Sequence, residues 1–120
     1  METKRKSNRQ YFNCHIAGFS HWEGCLVIND LKPGVKLDLE RDIHNPFDPR
    51  AVAIYYGDTK LGYIPKNHNE DISTFLDMGH SDLFDARVQS VCPDNHPESQ
   101  VRVAIFIKKQ REIVNNGRTI

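Results

Sequence analysis

The chain has 120 residues, 38% of them hydrophobic, and its basic and acidic side chains balance to a formal net charge of zero. A chain of this size folds as one domain and buries roughly two-thirds of the surface that its unfolded form exposes, so it needs no covalent staples. The odd set of cysteines (Cys14, Cys25 and Cys92) and an opening METKRKSNRQ without an apolar run argue against a disulfide framework, a signal peptide and a membrane span; a soluble, reduced, cytoplasmic protein is expected.

In chain order, the first element is a basic segment. Residues 1–11 hold Lys4, Arg5, Lys6 and Arg9 against Glu2, and residues 108–120 hold Lys108, Lys109, Arg111 and Arg118 against Glu112, so each end carries +3. The body between them has eight basic and fourteen acidic side chains, a net of −6. An acidic body argues against a broad duplex-binding surface, whose affinity comes from basic groups displacing counterions. Basic ends are also ordinary solubilising tails. We divide the chain into an N-terminal tail (1–10), a β domain (11–109) and a C-terminal tail (110–120).

Period-two patterns then dominate. YFNCHIAG reads as a first strand with Phe12, Cys14 and Ile16 on one face. HWEGCLVINDLKPG fits either an irregular connection or a short helix using Leu26, Val27 and Leu31. VKLDLER points Val35, Leu37 and Leu39 inward and Lys36, Asp38 and Glu40 outward. AVAIYY and KLGYI form a hairpin across Gly57-Asp58-Thr59, where glycine supplies the positive φ of a tight turn. NHNEDISTFLDMGH carries Ile72, Phe75 and Leu76 at helical spacing, with Asn67 placed to cap, Glu70 three residues on and Gly79 as the stop. DLFDARVQSV and QVRVAIFIKK complete six strands, joined by the polar loop PDNHPES. The predicted fold is mainly β: a small, twisted, partly open six-stranded barrel with one or two short helices.

The stretch NPFDPR, Asn45 to Arg50, breaks the rhythm. Asn45 and Asp48 each precede a proline, which pushes both toward extended conformations, and Pro46 and Pro49 remove two backbone donors. The result is a stiff corner. Phe47 there either folds back as a plug or stands out as a flat apolar face; Asp48 either caps the turn or presents an acceptor to a ligand.

Other chemistries find little support. Cys14, His15, His21 and Cys25 fit no C-x₂-C or H-x₃-H spacing, and neighbouring Cys14 and His15 point to opposite faces of a strand, so Cys14 reads as core, His15 as surface, and no metal site or cofactor is expected. Asp38, Glu40 and Asp42 alternate outward like a solvated strand face, with no lysine motif or His–Asp pairing to make a nuclease cluster. No G-x-x-x-x-G-K-[ST] loop is present, so the chain is no P-loop ATPase, and no enzyme is expected.

The succession GFSHW, LERDIHNPFDPRAVAIYY and KLGYIPKN resembles the HIRAN domain family over about residues 11–108. The resemblance implies a six-stranded OB-like or SH3-like barrel, found at the start of certain fork-remodelling helicases and as free-standing bacterial proteins. It further implies a DNA-binding module, in a repair or processing context, that captures the free 3′ end of a single strand. On this resemblance Phe47, where the family often has tyrosine, stacks on a terminal base. Asp48, which would repel an internal phosphate, accepts a hydrogen bond from a terminal 3′-hydroxyl. Ser20-His21-Trp22 stands where DNA-binding members carry Arg-Tyr, Tyr63 replaces a histidine, and Lys66 matches a basic position. The implied partners are single-stranded DNA or DNA ends and a separate helicase or nuclease, with no membrane. The alternative is a protein-interaction module in which Phe19, Trp22 and Phe47 dock a peptide or partner enzyme through the same rim.

Overall fold

A computed structural model describes residues 9–108. The basic tails expected at 1–10 and 110–120 lie outside it, except that Arg9 and Gln10 open the first strand. The strands are β1 (Arg9–His15), β2 (Lys36–Arg41), β3 (Val52–Tyr56), β4 (Thr59–Tyr63), β5 (Phe84–Val91) and β6 (Val101–Ile107). They form one antiparallel sheet in the order β1-β6-β5-β2-β3-β4. The alternation read from the sequence sets which face is core: Cys14 and Ile16, Leu37, and Val101, Val103 and Ile105 are buried. β6 lies between two strands and also buries Ala104 on its other face.

The sheet curls but does not close through a ladder. Among the described residues its two edges meet at one bridge just beyond β1, where Ala17 N–H donates to the Tyr63 carbonyl (2.8 Å) and Tyr63 N–H donates to the Ala17 carbonyl (2.9 Å). Gly62 permits this approach. At φ +147° it adopts a backbone that side chains rarely take, and a Cβ there would lie 2.4 Å from the Ala17 carbonyl oxygen. The β3–β4 hairpin turns on Gly57 and Asp58, with Gly57 at φ +58°, as the sequence predicted.

Two helices cover the barrel. HWEGCLVINDLKPG resolves into the single-turn α1 (Gly24–Val27) followed by a 3₁₀ turn at Ile28–Asp30. Leu26, expected inward, is exposed, because the residue that α1 presses inward is Gly24. A Cβ at Gly24 would sit 2.3 Å from the Phe19 ring, so this glycine makes room for Phe19 in the core, and Phe19 is buried rather than on the rim. The second helix, α2 (Asn69–Asp77), packs against β2 and β3 through the buried Ile72. It ends as predicted: Gly79 is left-handed, its N–H bonds the Leu76 carbonyl, and the His80 N–H bonds the Phe75 carbonyl. Its start differs from the expected Asn67 cap. A 3₁₀ turn at Lys66–His68 intervenes, the His68 ring stacks on Phe12 of β1 at 4.7 Å, and no side chain caps the helix.

Candidate functional site

The Asn45–Ala51 corner is built by side chains bonding to nearby backbone. The Asn45 Oδ1 accepts from the Phe47 and Asp48 N–H groups (2.8 and 3.0 Å), and Asp48 Oδ1 accepts from the Arg50 N–H (2.9 Å). These are the Asx bonds that favour Asn and Asp in turns. Long-range bonds fix the corner on the barrel. Asp48 Oδ2 accepts from the buried Asn69 amide (2.9 Å), and Arg41 donates to the Ala51 and Pro49 carbonyls while its Nε bonds Asp77 of α2. The alternative read from the sequence for Phe47 is thereby resolved. Asp48 caps the turn, with capacity left on its oxygens, and Phe47 stands out, 83% exposed.

Phe47 borders two adjoining cavities. One, of about 490 Å³, is also lined by His21, Trp22, Asp42, His44, Lys60 and Tyr63. The other, of about 280 Å³, is lined by Ala17, Asp48, Tyr63, Ile64 and Lys66 among others. Six of the seven predicted positions (Phe47, Asp48, His21, Trp22, Tyr63 and Lys66) therefore meet at one rim. Ser20 does not. Its N–H and hydroxyl, together with the Gly18 N–H, bond the Glu98 carboxylate from the β5–β6 loop at 2.8–3.2 Å. Burial pushes the Glu98 carboxyl up, but these donors outweigh it and hold the group below the usual carboxylate range.

The floor of the larger cavity is a polar network. The Tyr63 hydroxyl donates to Asp42 Oδ2 (2.6 Å), Lys60 Nζ donates to the Tyr63 oxygen (2.7 Å), and Lys60 lies 3.6 Å from Asp42. The Tyr63 bond lowers the Asp42 carboxyl below its ordinary range, outweighing burial, with help from Asn45 and Lys60. Burial pushes the Lys60 ammonium down, but its bond to Tyr63 and the charge of Asp42 carry it above the ordinary lysine value. Asp42 is thus not the solvated acid its alternation with Asp38 and Glu40 suggested.

A sequence profile of the HIRAN domain family matches residues 9–110. The chain belongs to the HIRAN domain family. Two solved structures share the HIRAN fold seen here. A protein from Lactobacillus plantarum superposes with a TM-score of 0.69 at 17% identity, over 87% of this chain and 98% of that one. The HIRAN domain of human HLTF superposes with a TM-score of 0.54 at 14% identity, over 85% of this chain and 81% of that one. At these identities the likeness is one of fold. No curated protein matches the chain.

Within this HIRAN domain the sequence reading did not count Asp42, Lys60, Asn45 and Glu98 among the site residues. Asn45 carried a local signal, an Asx residue before proline. The other three meet their partners only through strand register and loop placement. Elsewhere, Cys14 is buried and its thiol is pushed up to about 11 by burial, against the opposing pull of Arg102, while Cys25 and Cys92 are exposed. Among the described residues no group of three or more His, Cys, Asp or Glu is arranged to hold a metal ion. No helix among them is long and apolar enough to cross a membrane.

Proposed function

We propose that this HIRAN domain is a non-catalytic module that binds single-stranded DNA near a free 3′ end through the Phe47 rim, in a DNA repair or processing context alongside a separate helicase or nuclease. One observation carries the reading: a phenylalanine held 83% exposed on a corner fixed by Asx bonds and bordering two cavities. Exposing a large ring opposes the hydrophobic effect, and stacking on a base is a chemistry that uses such a ring without sequence preference. The Asp48 oxygens each accept one internal bond and retain lone pairs, which suit a terminal hydroxyl and not an internal phosphate. Among the described residues Lys66 reaches only the Phe47 carbonyl, at 3.4 Å, and it is exposed at the same rim, where it suits a backbone phosphate.

Fluorescence anisotropy of a short single-stranded oligonucleotide ending in a 3′-hydroxyl or a 3′-phosphate, with wild type and Asp48→Ala compared, tests the reading. Selective binding of the hydroxyl end, lost in Asp48→Ala, is expected. Equal binding of both ends makes Asp48 a turn residue in a general single-strand platform. Binding of neither end at low salt defeats the nucleic-acid reading and leaves the rim, with exposed Trp22 and Phe47, as a surface for a peptide or partner enzyme.

A further inference from the structure

Lys60 occupies an unusual position for a hairpin lysine. Its side chain is only 19% exposed, and its ammonium lies 4.0 Å from the centroid of the Trp22 ring and 4.7 Å from that of Tyr63. The same nitrogen donates to the Tyr63 hydroxyl oxygen, which is itself fixed by Asp42. Trp22 and Tyr63 meet edge to face, with centroids 6.1 Å apart and planes at 67°. The ammonium is thus committed to an oxygen, a carboxylate and an aromatic face, and has little left to give a phosphate. The long-range bonds of the turn that carries Trp22 are made to Glu98 by Gly18 and Ser20, whereas the Trp22 N–H has only a 3.4 Å bond to the nearby Phe19 carbonyl, so the contact that fixes the indole itself is the one with Lys60 and Tyr63.

We infer that Lys60, locked by Tyr63 and Asp42, is a positioning residue that holds the Trp22 indole as a second stacking face across the larger cavity from Phe47. The inference rests on the single-strand reading of the rim and adds to it a slot for a nucleobase on the Trp22 side. A cation over a π-face is worth more as it is desolvated, and the Lys60–Trp22 contact, with the lysine side chain 19% and Trp22 39% exposed, lies between the exposed and desolvated cases. Because Asp42 compensates the lysine charge, the slot is electrically quiet and suits a planar neutral base. The backbone phosphate is left to Lys66 on the other side of Phe47.

Trp22 is the only tryptophan, so its emission reports on the slot alone. Lys60→Met keeps the aliphatic stem and removes the ammonium; Tyr63→Phe keeps the ring and removes the hydroxyl that holds Lys60; Lys60→Arg restores a cation. The ligand-free proteins are compared by tryptophan emission and acrylamide quenching, and binding of a single-stranded oligonucleotide is measured across a salt series. Positioning predicts that Lys60→Met and Tyr63→Phe shift the emission and raise quencher access before any ligand is added. It predicts roughly three- to tenfold weaker binding with an unchanged salt slope, and partial recovery in Lys60→Arg. Unchanged emission, with the salt slope reduced by about one phosphate contact, would make Lys60 a phosphate ligand and overturn the inference. Unchanged emission and binding in both variants overturns it as well. If wild type binds no oligonucleotide while the emission still shifts, the single-strand reading has failed and the Lys60–Trp22 coupling has survived.

Discussion

Gly62→Ala attacks the point at which, among the described residues, the two sheet edges meet. The added methyl would lie 2.4 Å from the Ala17 carbonyl oxygen and 2.6 Å from the Ile16 Cγ2, and neither can step aside cheaply: one is backbone and the other belongs to a fully buried side chain. The φ of +147° adds backbone strain of about 1–3 kcal/mol for a residue with a side chain. Relieving the clash means parting Ala17 from Tyr63 and losing two backbone hydrogen bonds, each worth about 0.5–1.5 kcal/mol. The total is about 4 kcal/mol, a large part of the roughly 5–15 kcal/mol by which domains are stable. With a urea m-value of about 2 kcal/mol per molar, the unfolding midpoint falls by about 2 M. Gly57→Ala is the control, because at φ +58° its added Cβ meets nothing within 4 Å; it costs only the left-handed strain, about 1 kcal/mol. Equal midpoints for the two variants would show that the Ala17–Tyr63 approach contributes nothing beyond local backbone preference, and would refute the closure argument.

Phe47→Ala is expected to leave the melting temperature unchanged, because the ring is 83% exposed, and to weaken single-strand binding by about 1–3 kcal/mol; a lower melting temperature with intact binding would make the ring structural. Asp42 and Glu98 have carboxyl pKa values below their unfolded ones, so the stability they contribute is present above the ordinary carboxylate range and lost as pH falls through the lowered values. Glu98→Gln should therefore flatten the fall in urea midpoint below about pH 4.5, and an unchanged acid limb would deny the Gly18–Ser20 contact any energetic role. A thiol reagent at pH 8 should modify Cys25 and Cys92 quickly and buried Cys14 only on unfolding; three fast thiols would contradict the packing of β1. The logarithm of the affinity for a short single strand should fall with that of salt concentration with a slope of about −0.7 to −1.4, as for one or two phosphates, and a slope steeper than about −3 would mean a much broader basic surface.

The strands were legible because alternation is local: in β6 the buried Val101, Val103 and Ile105 are read directly from the spacing. So were the Gly57 turn and the Gly79 stop, whose chemistry lies within a few residues. The start of α2 was not legible, since the Asn69 amide is spent on Asp48 and the His68 ring on Phe12, both far away in sequence. At the rim, two prolines and two Asx residues announced the corner. The floor beneath it did not announce itself. Asp42 and Lys60 look like ordinary solvated charges until the β2–β3–β4 register, with the irregularity between Ile54 and Tyr55, brings them under Tyr63. Phe19 looked like a rim aromatic because nothing local says that Gly24 vacates the space it fills.

The acidic balance of the body is a poor guide to this surface, and the reason is local. Around the rim the carboxylates have internal partners: Asp42 is held by Tyr63, Asn45 and Lys60, and Asp48 accepts one bond on each oxygen, from the Arg50 N–H and the Asn69 amide. Charges farther away than the Debye length, about 8 Å at physiological salt, are largely screened from a ligand at the rim. On the proposed reading, a strand end at the rim would meet an exposed ring, two cavities, the exposed Lys66 and the remaining lone pairs of Asp48. The same hydrogen bonds that let the Asn45–Ala51 corner project from the barrel also fix the direction of the Asp48 carboxylate, so the architecture of the corner and the acceptor it holds at the rim have one origin.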